Sequence, residues 1–329
     1  MDKGVRKVAE DIFMIKLPMP FRMKHVNIFL FLEKEGFTLI DTGPNLWGVL
    51  PALEEALSEI GRRLTDCRRI LITHFHMDHC GLAGIIAERS GAPISLSEIE
   101  YQTILTFSQD GGRVERMKAF CTNNGLDNAA IEKITRAFLA FQKATSPFDA
   151  GGYLSDGDRM VVGGREIEVV STPGHTRGHL SFLLPKERLL IAGDHILPAI
   201  TPNLSPDLVA PEFHPLERFL ESLTRVAQLD IETIWPSHGC SFKNIKKRVD
   251  EMKQHHNQRT EITLQALNDG PRTASQVATF IFGDGLPVFD RFLALNESYV
   301  HLIALENDAL ITRTREGGRD IFLRRRQTR

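Results

Sequence analysis

The chain has 329 residues, which is too long for one typical domain and suits one large domain with a smaller one. Hydrophobic residues make up 42% and charged residues 25%, values that are ordinary for a folded protein and exclude a disordered chain. The net charge of −2 indicates no strongly charged partner for the chain as a whole.

Residues 26–96 alternate between strand and helix patterns. Continuous apolar runs predict strands there, and apolar positions at helical spacing predict helices. The predicted elements are strands at 26–32, 37–41, 69–73 and 93–96 and helices at 45–60 and 81–90. The strand at 69–73 runs directly into the segment HFHMDH (74–79).

Residues 98–148 differ because they are rich in aromatic side chains, and their apolar spacing predicts two or three helices. Strand patterns resume after this segment, beginning with a hairpin at 159–171 that contains a Gly-Gly turn. The next predicted elements are strands at 180–184, 188–194 and 233–239 and a helix at 215–228.

From residue 243 the pattern is helical and then ends in a hairpin. Three helices are predicted: one at 243–268, a short one that begins at a cap of Thr273 or Ser275, and one at 287–307. The hairpin that follows them turns at 317–318. Three helices followed by a two-stranded wing is the layout of a winged helix. We therefore predict two domains, 1–242 and 243–329.

Four side chains of the metal-binding types occur within HFHMDH. His74 and His76 are two residues apart, so they share one side of an extended segment, and Asp78 and His79 can turn toward a second point. Three histidines and an aspartate in six residues, directly after a strand, predict a metal site rather than scattered surface histidines. Imidazole and carboxylate ligands suit zinc by default, with iron or manganese as alternatives.

Three further candidate ligands lie where an apolar strand gives way to a glycine-flanked turn. They are His175 in STPGHTRGH, Asp194 at the end of RLLIAGD and His238 at the end of TIWPSHG. A sheet whose strand ends share one edge would gather them into one cleft.

These motifs resemble the metallo-β-lactamase superfamily. HFHMDH is similar to its HxHxDH signature, PGHTRGH, AGD and PSHG resemble its later ligand motifs in the same order, and LIDTG (39–43) resembles its early strand motif. The resemblance covers about residues 10–242 and implies an α+β fold, an αββα sandwich of two face-to-face sheets with helices outside. Here that fold would carry a helical insertion at 98–148 and a C-terminal winged-helix domain.

Carried over to this sequence, the resemblance implies two divalent metal ions, with Asp41 orienting a ligand from behind. The implied ligands are His74, His76 and His175 for one ion, Asp78, His79 and His238 for the other, and Asp194 for both. It also implies a metal-bridging hydroxide as the nucleophile, with Asp78 as the catalytic residue that orients it or accepts its proton.

Four residues close to these ligands in sequence leave alternatives open. His179 and His195 would act as an acid or a substrate contact, or else pack behind the ligands. Cys80 and Cys240 are expected to be small buried packing residues. All four cysteines lack paired spacing, which indicates a reducing compartment.

We expect the substrate to be a small acyl ester, thioester or lactone, with 98–148 either a lid over it or helices that bury their own core. One alternative is a metal-dependent endoribonuclease or phosphodiesterase, because one superfamily relative with this C-terminal layout is a mitochondrial endoribonuclease. That reading requires a basic groove toward Arg313, Arg315 and Arg324. Another alternative is a non-catalytic binding protein stabilised by metals.

The winged helix would cap the cleft or form a homodimer contact. RNA binding there is the weaker alternative, because the positive excess of residues 243–329 is small, with 15 Lys and Arg against 11 Asp and Glu.

The N-terminus lacks the apolar stretch of a secretory signal, and no run of 18 apolar residues occurs. We therefore expect a cytoplasmic protein that does not contact a membrane.

Overall fold

The computed structural model describes residues 4–20, 23–109 and 112–325, except the side chains of 107–109. Two β-sheets pack face to face in these ranges, and helices cover their outer surfaces. This architecture confirms the α+β, αββα sandwich expected from the sequence. Residues 1–3 and 326–329 of the two predicted domains lie outside the described ranges.

The first sheet contains seven strands that follow one another in chain order. They are β1 (Val5–Ala9), β2 (Ile12–Pro18), β3 (His25–Glu33), β4 (Gly36–Ile40), β5 (Cys67–Leu71), β6 (Ile94–Leu96) and β7 (Gly152–Tyr153). Strands β1 to β4 are antiparallel neighbours, whereas β4 to β7 run parallel. Parallel neighbours need crossover connections, and the helices between these strands supply them.

The second sheet contains six strands in the order β13-β12-β11-β10-β9-β8. They are β8 (Arg159–Val162), β9 (Arg165–Ser171), β10 (Leu180–Leu184), β11 (Leu189–Gly193), β12 (Thr233–Pro236) and β13 (Phe242–Lys243). Only the β11–β12 pair is parallel among these described strands. The β8–β9 hairpin turns at Gly163 and Gly164, which both have positive φ, as the Gly-Gly pattern predicts.

Ten α-helices of at least four residues lie in the described ranges. They are α1 (Val49–Glu59), α2 (Met77–Cys80), α3 (Ala83–Ser90), α4 (Glu98–Gln109), α5 (Gly112–Asn123), α6 (Asn128–Gln142), α7 (Pro215–Val226), α8 (Ile245–Gln265), α9 (Ala274–Phe282) and α10 (Val288–Asn307). Helices α1 and α3 pack on the first sheet, and α7 and α8 pack on the second. No helix of the described ranges combines the length and apolar character needed to cross a bilayer.

Large aromatic side chains fill the space between the two sheets. Phe29 and Phe31 from β3 face Phe182 from β10 and Trp235 from β12, and all four are buried. The rings of Phe29 and Trp235 stack with centroids 5.6 Å apart. This apolar layer fixes the separation of the sheets and therefore the relative position of the loops at their edges.

The insertion and the C-terminal region share one apolar core. Phe120 of α5 and Ile131 of α6 belong to the same buried cluster as Leu295 and Leu302 of α10 and Phe322 of the final hairpin. That hairpin consists of β14 (Ile311–Glu316) and β15 (Arg319–Arg324). The three helices and hairpin occur in the predicted order, while their assignment as a winged helix, and the boundary at residue 242, stay predictions.

Several elements differ from the expectations. The helix predicted at 81–90 corresponds to α3, whereas the short helix α2, which starts inside HFHMDH, was not predicted. Four strands were not predicted, namely β1, β2, β7 and β13. Strands β7 and β13 contain two residues each, which is too short to show periodicity in the sequence.

Candidate metal centre

The predicted ligands lie beyond the ends of four strands that come from both sheets. His74 follows β5 of the first sheet, and His175 and His238 follow β9 and β12 of the second. Asp194 directly follows β11, and Asp78 lies in α2. The structure brings all seven predicted side chains together, in groups whose ligand atoms lie within 4.8 Å of one another.

Three imidazole nitrogens converge in the first group. His74 Nε2 lies 2.9 Å and His175 Nε2 lies 3.0 Å from Nδ1 of His76. Two nitrogens bound to one zinc at about 2.0–2.1 Å in tetrahedral geometry lie roughly 3.3 Å apart, so this spacing suits ligands of a common ion. His74 is fully buried, whereas His76 and His175 are partly exposed.

The second group combines two imidazoles with a carboxylate. Asp78 Oδ2 lies 3.3 Å from His238 Nε2 and 3.6 Å from His79 Nε2. His76 has an extended backbone, and helix α2 begins at the next residue. This change of conformation within the motif lets His76 point to the first group while Asp78 and His79 point to the second.

Asp194 lies between the two groups. Its Oδ1 is 3.4 Å from His238 Nε2 and 3.6 Å from His79 Nε2, while its Oδ2 is 3.6 Å from His175 Nε2. The two oxygens therefore face different groups, as one carboxylate shared by two cations would. The preceding Gly193 has a φ of 55°, and a Cβ there would lie 2.6 Å from His179 Nε2, so this turn requires glycine.

Hydrogen bonds behind the imidazoles fix which nitrogen faces the centre. Nδ1 of His175 donates to the carbonyl of Asn203, and Nδ1 of His238 donates to the carbonyl of His25, both at 2.9 Å. A carbonyl can only accept, so each Nδ1 carries a proton and Nε2 is the nitrogen that remains to bind a cation at the centre.

Asp41 orients His79 in the same way. Its Oδ2 accepts a 2.8 Å hydrogen bond from His79 Nδ1, and its Oδ1 accepts a 2.9 Å bond from the backbone of Thr73. Asp41 has a φ of 61°, a strained conformation that these buried hydrogen bonds hold in place. The expected orienting role of Asp41 agrees with this geometry.

The surroundings of the two groups shift the pKa values of their histidines in opposite directions. Burial lowers the pKa of His76 to about 3, with His175 adding to the effect, so the first group is neutral and free to bind a cation. Burial alone would also lower the pKa of His79, but the carboxylates around it, led by Asp78 and Asp41, raise it to about 9. The carboxylates of the second group therefore favour positive charge beside them, which a proton on His79 supplies when no metal ion is bound.

A divalent metal ion fits this donor set. Three buried atoms at the centre lack a hydrogen-bond partner among the described residues: His79 Nε2, Asp194 Oδ1 and His238 Nε2. Such buried polar atoms are costly when left unsatisfied, and all three point to a common space. Nitrogen and carboxylate donors of this kind are the usual ligands of zinc, iron and manganese.

Glu100 is a residue of this region that the sequence reasoning missed. Its Oε2 accepts a 2.7 Å hydrogen bond from the backbone N–H of Phe75, and its Oε1 accepts a 2.7 Å bond from that of Gly178. One carboxylate thus joins the HFHMDH loop to the loop that carries His175. Burial raises the pKa of Glu100 to about 7, although both backbone bonds act to lower it.

The expectations for the four residues next to the ligands in sequence can be compared with the structure. His179 and His195 are fully buried, which favours their packing role over contact with a substrate. His179 accepts a 3.1 Å hydrogen bond from the backbone of Asp194. Cys80 is buried as expected, but Cys240 is exposed, so the prediction that it packs in the interior was wrong, because its loop lies at the surface.

Comparison with known proteins places the chain in a family. The model of the metallo-beta-lactamase superfamily matches residues 22–238. A probable metallo-hydrolase, YqjP of Bacillus subtilis, is 28% identical over 330 residues, covering 95% of this chain and 98% of that protein. An atrochrysone carboxyl ACP thioesterase of Aspergillus fumigatus is 29% identical over 153 residues, covering 42% of this chain and 45% of that protein.

A solved structure supports the same assignment over the whole fold. The crystal structure of a metallo-beta-lactamase family protein from Thermus thermophilus matches with a TM-score of 0.86 and 28% identity. The match covers 97% of this chain and all of that one, so it includes the insertion and the C-terminal helices. The chain therefore belongs to the metallo-beta-lactamase superfamily and is a metal-dependent hydrolase.

Proposed function

We propose that this chain uses two divalent metal ions, by default zinc, to hydrolyse a small-molecule acyl ester, thioester or lactone. The observation that carries the proposal is the position of Asp194, whose two carboxylate oxygens face two separate groups of three donors. A purely structural metal site needs a closed set of four ligands around one ion, which this arrangement is not.

The ions, when bound, supply a water of lowered pKa and polarise the substrate oxygen. Groups of the protein prepare the place for this chemistry. Nε2 of His175 and of His238 are held toward the centre by their hydrogen-bonded Nδ1 atoms, so little reorganisation is needed on binding. Asp41 keeps His79 in the required orientation.

Asp78 is the residue of the set that we assign to proton handling. Its side chain is 14% exposed, against 8% for Asp194, so it reaches the solvent side of the centre. Its Oδ2 lies 3.3 Å from His238 Nε2, so this oxygen is directed to the second group and the other is available to accept a proton.

An acyl substrate is favoured over RNA by two observations. One relative of the chain is named as an ACP thioesterase, and a thioesterase acts on acyl substrates. In addition, the wing arginines that an RNA groove would need already bind within the protein. Arg313 pairs with Glu306 at 3.1 Å, Arg315 with Asp320 at 2.9 Å, and Arg324 bonds Asn268.

A hydrolysis screen tests this function. The metal-loaded protein would be assayed on thioesters, lactones, carboxylic esters, phosphodiesters and RNA, with His76→Ala as the control. We expect turnover of at least one acyl class and a loss of at least about 100-fold in kcat/KM in His76→Ala, because even partners behind a ligand contribute 10- to 100-fold. Turnover of RNA alone, or equal rates in both proteins, would contradict the proposal.

A further inference from the structure

The chain between β11 and α7, residues 195–214, has no helix or strand and passes directly beside the metal centre. We call it the 195–214 loop. Its Asn203 supplies the carbonyl that accepts the hydrogen bond from His175 Nδ1 at 2.9 Å. The orientation of His175 therefore depends on the position of a segment that lacks the regular hydrogen bonding of secondary structure.

The side chain of Asn203 attaches this part of the loop to α10. Its Nδ2 donates to the carbonyl of Leu293 at 3.2 Å, and its Oδ1 accepts a 3.1 Å hydrogen bond from Ser205 Oγ. Ser205 Oγ in turn accepts a 3.1 Å hydrogen bond from Nδ2 of Asn296. Asn296, buried in α10, thus ends an unbroken series of hydrogen bonds that begins at His175.

The C-terminal region holds the same loop at a second place. Arg248 of α8 donates from Nε to the carbonyl of Leu197 at 2.7 Å and from Nη2 to the carbonyl of Ile200 at 2.8 Å. Two helices beyond residue 242 therefore constrain the loop on either side of Pro202. Without these bonds the loop would gain conformations, and the carbonyl of Asn203 would spend less time in place.

We propose that Asn296 is a positioning residue of the metal centre, acting through Ser205 and Asn203 on His175. This inference rests on the proposed function, because it requires His175 to bind a metal ion. It gives the C-terminal region a part in the centre itself, in addition to its packing against the insertion.

Metal affinity is the measurement that separates positioning from simple packing. Zinc would be titrated into the metal-free full-length protein in competition with a chromogenic chelator, for wild type, Asn296→Ala, Ser205→Ala and Ser205→Thr. We expect Asn296→Ala and Ser205→Ala to bind one of the two ions roughly tenfold more weakly. This is the low end of the loss in metal affinity that follows when a residue orienting a ligand is removed. Ser205→Thr keeps the hydroxyl and should restore the affinity.

Two controls make the result specific. Ser298→Ala changes a buried side chain of the same helix whose hydroxyl has no hydrogen-bond partner among the described residues, so zinc affinity should not change. The double variant Asn203→Ala/Asn296→Ala should bind zinc about as weakly as the weaker single variant, because both act along one path.

The outcomes distinguish the two proposals. A wild-type protein that takes up no zinc would overturn the proposed function itself. A wild type that binds two ions, with Asn296→Ala and Ser205→Ala binding them equally well, would overturn the positioning role alone. Additive losses in the double variant would also overturn it, because the two residues would then act independently.

Discussion

Three candidate ligands of the centre, His79, His175 and His238, are each held by a partner that is distant in sequence. Asp41 and His79 are 38 residues apart, and His238 bonds the carbonyl of His25, 213 residues away. These partners set the tautomer and direction of each imidazole before a cation arrives. The ligand arrangement is therefore built into the fold, and a change to a partner should act on metal binding as well as on stability.

Glu100 is the residue for which this expectation is sharpest. Glutamine in its place keeps the shape but offers one oxygen to the two backbone N–H groups of Phe75 and Gly178, and its amide would face the other N–H. We expect Glu100→Gln to lose about 1–3 kcal/mol in the unfolding free energy of the metal-free protein and to bind zinc more weakly.

Urea denaturation and zinc titration would measure both effects. Glu98→Gln on the same helix is the matched control, because Glu98 is exposed and should leave both quantities unchanged. If Glu100→Gln behaved like Glu98→Gln in both measurements, the carboxylate would not be joining the two ligand loops.

The sequence was sufficient to single out the candidate ligands but not the residues that orient them. Five of the seven candidate ligand residues directly follow apolar strand patterns, and Asp194 and His238 lie at the ends of such patterns, so local pattern alone singles them out. Glu100, Asn203 and Asn296 carry no local signal. Their roles come from contacts with residues 25 to 91 positions away, which no spacing rule contains.

The insertion helices and the C-terminal helices share one hydrophobic core. Leu302 of α10 is fully buried in the cluster that contains Met117, Phe120 and Ile131 of the insertion. The insertion therefore does not bury a core of its own, which was one of the two expectations for it, but shares one with residues beyond 243. Its role as a lid stays a prediction.

A cavity at Leu302 should loosen both regions together. We expect Leu302→Ala to cost about 2–5 kcal/mol of unfolding free energy and to speed amide hydrogen exchange in α5 and α6 as well as in α9 and α10. Leu323→Ala, at a side chain that is 40% exposed, should have a small effect. Faster exchange confined to α9 and α10 would show that the two regions are separate.

Long elements with strong periodicity were predictable, and short or interrupted ones were not. The predicted strand at 26–32 corresponds to β3, and the predicted helix at 243–268 to α8. Helix α2 was not predicted because its four residues belong to the ligand motif and are too few to show an apolar face. The packing of α6 against α10 joins segments more than 100 residues apart, which periodicity does not report.

The two sheets meet at the metal centre as well as in the apolar layer. His74 and His79 follow a strand of the first sheet, while His175, Asp194 and His238 follow strands of the second. Cations bound there would link the sheets and neutralise the buried carboxylates, so metal binding should stabilise the folded chain as a whole.

The central claim is that one carboxylate serves two cations, and the number of ions bound per chain tests it most directly. Metal analysis after zinc loading and removal of free zinc would compare wild type, Asp194→Asn and Asp230→Asn, the last a surface aspartate bonded to Arg188. We expect two tightly bound ions per chain in wild type and Asp230→Asn, and fewer than two in Asp194→Asn. One ion or none in wild type, or two ions retained by Asp194→Asn, would contradict the claim.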